Sequence, residues 1–232
     1  MSTIASTHSL HSPPRPRRVL KIIGWSAMAL LAGLLTLYAA RYLTLDPEVY
    51  LENQRAVYIA NSGALTLHVA GAMVALLIGP FQFLPRSMSR RYLSVHRALG
   101  RIYLVGVMAG GLGGLYMAFL AFGGFGPKVG FSLLAVLWLL CGLIAYRRIR
   151  ARRIQSHREW MIRTYSLTFA AVTLRLWLPI LISSGVDYIE VYQAVAWLSW
   201  VPNLLVAEWI VHRLRAQPAA RAQRQPAAMT VE

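Results

Sequence analysis

Apolar residues fall in six long runs along the chain, at approximately 19–40, 60–84, 98–121, 129–146, 160–183 and 191–212, with short polar stretches between them. A helix that crosses a bilayer needs roughly 20 mostly apolar residues, and each run is about that long. Inside the runs, small and polar residues recur at helical spacing. The second run carries Asn61, His68, Ala72, Ala75, Gly79 and Gln82; the third carries His96, Gly100, Tyr103, Val107, Gly110 and Gly114; the fifth carries His157, Thr164, Thr168 and Arg175. Stripes of this kind mark the inward, close-packed side of membrane helices. The pattern predicts an all-α, polytopic transmembrane bundle of six spans, with Gly106, Gly110 and Gly114 acting as packing grooves.

The segments between and beyond the runs add detail. Asp46-Pro47 reads as an N-cap followed by a first-turn proline, which predicts a short interfacial helix from Pro47 to Asn61 before span two. Tyr42, Tyr50 and Tyr58 fit an aromatic belt beside it. Pro80, Pro179 and Pro202 should kink or end their helices, each freeing a carbonyl that needs another donor. Residues 1–18 are rich in Ser, Pro and Arg, and residues 214–232 in Ala, Gln, Pro and Arg; both read as disordered tails flanking a transmembrane domain at 19–213. The first run follows Arg15, Arg17, Arg18 and Lys21 as a signal peptide would, but it exceeds the usual apolar length of one. It is expected to remain as an anchor.

Composition supports the bilayer and charge orients the bundle. Of the 232 residues 57% are hydrophobic and 14% charged, too few charges to cover a soluble domain of this size. The net charge of +16 would by itself suggest nucleic acid, but the basic residues cluster at the ends of apolar runs, so no nucleic-acid partner is expected. Twenty Lys and Arg lie in the tails, in loops 85–97 and 147–159 and in the adjoining helix ends, against Arg41, Arg55 and Lys128 on the opposite side. By the positive-inside rule both ends are cytoplasmic, an N-in/C-in topology. The single cysteine, Cys141, excludes intramolecular disulfides and cysteine-rich metal sites. There is no phosphate loop, nucleophile elbow, dinucleotide fingerprint or H-E-x-x-H motif.

Ionisable groups inside a membrane are costly, and each is a functional candidate. His68 and Arg175 each lie eight residues inside the outer ends of their helices, so they could flank one polar pocket, to which Gln82 and Glu208 are also assigned; the alternative is that Arg175 snorkels outward and His68 bonds a backbone carbonyl across helices. His96 and His157 open the third and fifth spans in similar phrases, His96-Arg97-x-x-x-Arg101-x-Tyr103 and His157-Arg158-x-x-x-x-Arg163-x-Tyr165. Two histidines at one depth on different helices are what bis-imidazole ligation of haem b requires, and Arg97 and Arg158 could pair its propionates. A transition-metal site is not expected, since few carboxylates are near. Glu208 should pair with Arg163 or Arg101. Three uses stay open: a haem b redox protein with a redox partner, a small-molecule or ion transporter or binding protein with a His68/Arg175 pocket, and a non-catalytic membrane scaffold.

Several motifs occur in order: Leu67-His68-Val69-Ala70-Gly71 with Gly79-Pro80-Phe81-Gln82-Phe83, His96-Arg97-x-x-Gly100-Arg101-x-Tyr103, Gly123-Gly124 with Gly130-Phe131, His157-Arg158-x-Trp160-Met161-x-Arg163, and Ala170-Ala171-Val172-Thr173-Leu174-Arg175 with Leu178-Pro179. Over residues 60–180 the chain resembles a bacterial family of predicted membrane proteins, the domain-of-unknown-function family numbered twenty-three-oh-six. The resemblance implies a multi-pass protein of a bacterial inner membrane and carries no established activity.

Overall fold

The computed structural model describes residues 16–84 and 89–223. Among these residues the chain is helical and without strands: α1 (Pro16–Ala40), α2 (Arg55–Ala60), α3 (Ser62–Gln82), α4 (Leu93–Phe119), α5 (Phe125–Arg150), α6 (Ile154–Thr168), α7 (Ala170–Ile182), α8 (Tyr188–Leu198) and α9 (Val201–Gln223). They form six apolar rods long enough to cross a membrane: Val19–Thr44, Ser62–Gln82, Arg90–Phe119, Phe125–Arg150, Ile154–Ile182 and Tyr188–Ala216. α6 with α7 makes the fifth rod, and α8 with α9 makes the sixth. A helix satisfies its own backbone hydrogen bonds, as the bilayer interior demands. Large apolar side chains point outward along the rods; Leu37, for example, is 75% exposed to the surroundings. Small and polar residues turn inward, and the lipid takes the place of water.

The closest helix pairing is between α3 and α4. A Cβ built on Gly106 would stand 2.9 Å from the Gly71 carbonyl oxygen, and one on Gly113 would stand 2.7 Å from that of Ala64. Only residues without side chains allow two backbones this near. Inside the bundle, Tyr103, Val107, Trp138, Ala145 and Tyr165 form the main core. Pro80 cannot donate to the Leu76 carbonyl, and the Tyr165 hydroxyl lies 3.5 Å from that oxygen. The carbonyl of Pro80 in turn accepts from Trp25 Nε1 at 2.8 Å, which ties α1 to α3.

Spans five and six are each interrupted near mid-rod. Phe169 separates α6 from α7, and Ser199-Trp200 separates α8 from α9. Pro202 has no N–H for the Leu198 carbonyl, which accounts for the second interruption. Asn203 joins the two: its amide nitrogen lies 3.2 Å from the Ser166 carbonyl oxygen, 3.0 Å from Thr173 Oγ1 and 3.1 Å from the Ser199 carbonyl oxygen. The Thr173 hydroxyl also donates to the Ser199 carbonyl.

Three expectations are adjusted. The stretch from Pro47 is not one helix: two 3-10 turns, Pro47–Val49 and Glu52–Gln54, precede the six-residue α2. Asp46 does cap the first turn, accepting from the Glu48 N–H at 3.0 Å, but Tyr50 and Leu51 are extended and stop the helix from propagating. Tyr50 stacks on Tyr42 and meets Tyr58 edge-on, and this packing holds the stretch against the end of the bundle. His96 and His157 lie inside α4 and α6, each the fourth residue of its helix, because both helices begin earlier than the apolar runs do. α9 continues to Gln223, past the expected domain boundary at 213; Ala, Gln and Arg all favour helix. The tail readings for residues 1–15 and 224–232, and the charge of Arg86, lie outside the described residues.

Candidate functional site

A cavity of about 270 Å³ lies within the bundle, at the end away from the arginine clusters. Its walls come from α1, α3, α4, α5, α6, α7 and α8 and from the stretch that holds Gln54 and Tyr58. Most of the lining is apolar, including Leu65, Val69, Met73, Leu76 and Leu134. The polar groups are few and placed at distinct levels. Gln54 Nε2 donates to the Tyr192 hydroxyl at 2.8 Å across the outer part. At the inner floor, Thr168 Oγ1 donates to the Thr164 carbonyl at 2.9 Å and accepts from Trp138 Nε1 at 2.9 Å. With that hydrogen used, the Tyr103 hydroxyl at 3.1 Å is the donor to Thr168. The floor is therefore fully satisfied, and a ligand finds no free partner there.

His68 and Arg175 both line this cavity. His68 Nδ1 lies 2.7 Å from the Gly110 carbonyl oxygen. A carbonyl only accepts, so Nδ1 carries the hydrogen and Nε2 of the neutral ring is left as a bare acceptor. The ring fits because position 114 is glycine: a Cβ there would stand 2.6 Å from His68 Nδ1. Arg175 donates through Nη1 to the Ala171 carbonyl one turn back at 3.1 Å. Among the described residues the ion pairs are Arg55–Glu48, Arg163–Glu208 and Arg215–Glu159, so Arg175 has no carboxylate partner. The phenols of Tyr42, Tyr38 and Tyr58 and the cation of Arg41 lie within electrostatic range of it. Burial pushes the Tyr58 phenol well above its usual pKa, so it stays a neutral hydroxyl in the cavity wall.

The other candidates lie elsewhere. Gln82 ends α3, 14 residues from His68 and so about 21 Å along the helix; it is buried beside Gly100, and its Nε2 has no partner among the described residues. Glu208 is held bidentately by Arg163, at 2.5 Å to Nε and 2.8 Å to Nη2, and Arg163 also stacks on Trp160 at 4.6 Å. A second pair, Arg215–Glu159, joins the same two helices. These pairs tie α6 to α9. Of the four residues read as one polar pocket, the cavity brings together His68 and Arg175, and Gln82 and Glu208 are not part of it.

His157 Nδ1 lies 2.9 Å from the Ala145 carbonyl oxygen, which leaves its Nε2 available. His96 is within electrostatic range of His157, and its Nδ1 is buried without a partner. Arg97 and Arg158 are exposed. Neither His96 nor His157 lines the cavity or the groove beside it, and no group of three metal-ligating side chains occurs among the described residues. The sequence reading missed Asn203, Trp138 and Gln54, all neutral groups whose partners lie on other helices. The one local signal was the Pro202-Asn203 dipeptide.

The family profile DUF2306, described as a predicted membrane protein, matches residues 65–211. The chain belongs to this family. The match takes in His68, Gly110, Gly114 and Arg175 and leaves α1 outside the shared region. No curated protein and no solved structure matches the chain. The DUF2306 description states a membrane protein and no chemistry.

Proposed function

We propose that this DUF2306 protein is a membrane-embedded binding protein for a small amphipathic molecule, held by its polar head between His68 and Arg175. The observation that carries this reading is an arginine that lines an otherwise apolar, partly open cavity, is itself exposed, and has no carboxylate partner among the described residues. A cation bordered by apolar side chains is better stabilised with a counter-charge or strong acceptors, and a bound carboxylate would supply both in the bidentate geometry that guanidinium prefers. His68 Nε2 adds an acceptor beside it, suited to a hydroxyl or a protonated acid. The cavity is slightly below the usual range for ligand pockets, roughly 300–1,000 Å³, which suits a ligand of about a dozen heavy atoms. The haem b reading has less support, because the volume for a ligand is found at the end opposite His96 and His157. The asymmetry of basic residues supports a cytoplasmic membrane with both termini inside, and the family resemblance supports a bacterial one.

The test is a thermal-melt titration of detergent-purified protein with decanoate. Wild type should gain several degrees, while Arg175→Ala and His68→Ala should melt cooperatively without gaining stability from the ligand. An equal gain in wild type and Arg175→Ala would remove the basis of the proposal.

A further inference from the structure

Beside the cavity, on the outer surface of the bundle, runs an open groove of about 430 Å³ between α1 and α7. It is bounded by Leu31 and Leu34 on α1 and by Val172, Leu176 and Pro179 on α7, with Tyr38 at one end. Leu35, Arg175 and Leu178 line both this groove and the cavity. These three side chains are therefore the partition between the lipid-facing groove and the interior. Two of them are flexible aliphatic chains, and the third is the arginine without a carboxylate partner. Leu176 and Leu34 are exposed to the surroundings, so a chain lying in the groove would contact them on the side that faces lipid.

Charge at the partition is positive and apolar surface extends both ways from it. Arg41 stacks on Tyr38 at 3.9 Å at the groove's end and is an electrostatic neighbour of Arg175. No acid pairs with either cation among the described residues. Two cations at the rim of a long apolar slot suit a single-chain molecule with an anionic head. They do not suit a neutral sterol or a cation.

We infer that the site is loaded sideways from the bilayer, through the gap between α1 and α7, by a single-chain carboxylate amphiphile of the fatty-acid type, with Arg175 receiving the head at the partition. The inference rests on the proposed binding role of the cavity and adds its route and ligand class. An uncharged chain of the same length would pass the leucines without an anchor. A two-chain phospholipid is too bulky for a cavity of this volume and would stop in the groove.

The experiment uses the full chain in phosphatidylcholine vesicles doped with a trace of a decanoate analogue that carries a mid-chain diazirine. After illumination, adducts are mapped by peptide mass spectrometry. Adducts are expected on groove residues such as Leu34 and Leu176 and on cavity residues such as Met73, all competed by unlabelled decanoate. Arg175→Gln should lower the competed adducts about tenfold or more, Arg175→Lys should retain most of them, and the methyl ester of the probe should behave like the Gln variant. Competed adducts in the cavity with none in the groove would overturn lateral loading while leaving the binding role intact. Adducts in neither place would overturn both. Labelling unchanged in Arg175→Gln, or equal for the methyl ester, would overturn the carboxylate assignment.

Discussion

At the scale of single residues, one glycine decides whether a histidine can present its acceptor. Gly114 has no Cβ, and the His68 ring occupies the space where one would be. Gly114→Ala should displace the ring, break the bond to the Gly110 carbonyl and lower decanoate affinity about tenfold, with a much smaller effect on melting; a binding titration beside a melt separates the two. Gly113→Ala is the contrast. Its Cβ would meet the Ala64 backbone, which cannot rotate away, so it should cost about 1–3 kcal/mol of stability measured by chemical denaturation in detergent. The helical spacing of Gly106, Gly110 and Gly114 was legible in the sequence as a close-packed stripe. That Gly114 seats a side chain was not, because the spacing of one helix does not say which neighbour faces it.

At the scale of helices, spans five and six form a coupled unit. Each is interrupted, Asn203 bonds to both interruptions, and two ion pairs tie α6 to α9. Asn203→Ala removes the side-chain donor of the Ser166 carbonyl and leaves the Ser199 carbonyl with the Thr173 hydroxyl, so a loss of about 1–3 kcal/mol is expected; Asn203→Ser should recover part of it. Arg163→Ala strands Glu208, whose side chain is about half exposed (49%), so the loss should be modest, about 1 kcal/mol. The Arg163→Ala/Glu208→Ala double variant should lose little more than Arg163→Ala alone, and additive losses would show that the pair is not coupled. The pairing of Glu208 with Arg163 was one of two options readable from the sequence. The interruption at Phe169 was unreadable, since no proline or glycine marks it and it depends on bonds to another span. The 3-10 turns after Asp46 were equally hidden: the cap is local chemistry, but the extended Tyr50 and Leu51 that end its helix sit within aromatic packing against Tyr42 and Tyr58.

At the scale of the molecule, the periodicity and length of six apolar runs were enough to specify a six-rod bundle, because the bilayer permits few alternatives. The location of the cavity could not be read in the same way, as eight helices, α1 to α8, contribute to it and no pair of sequence positions encodes it. The distribution of arginines predicts that cysteines placed in loop 147–159 of a Cys141→Ser background react with membrane-impermeant maleimide only after cells are opened, while cysteines near Asp187 react in intact cells. The reverse pattern would invert the bundle and put the cavity at the cytoplasmic end. The central claim, that the cavity holds a carboxylate against Arg175, is tested most directly by anomalous diffraction from crystals grown with decanoate bearing a terminal bromine. One bromine peak inside the cavity, with the carboxylate at Arg175 and no such peak in Arg175→Ala crystals, is the expected result; a bromine confined to the outer lipid-facing surface, or one that persists in the cavity of the Arg175→Ala protein, would contradict it.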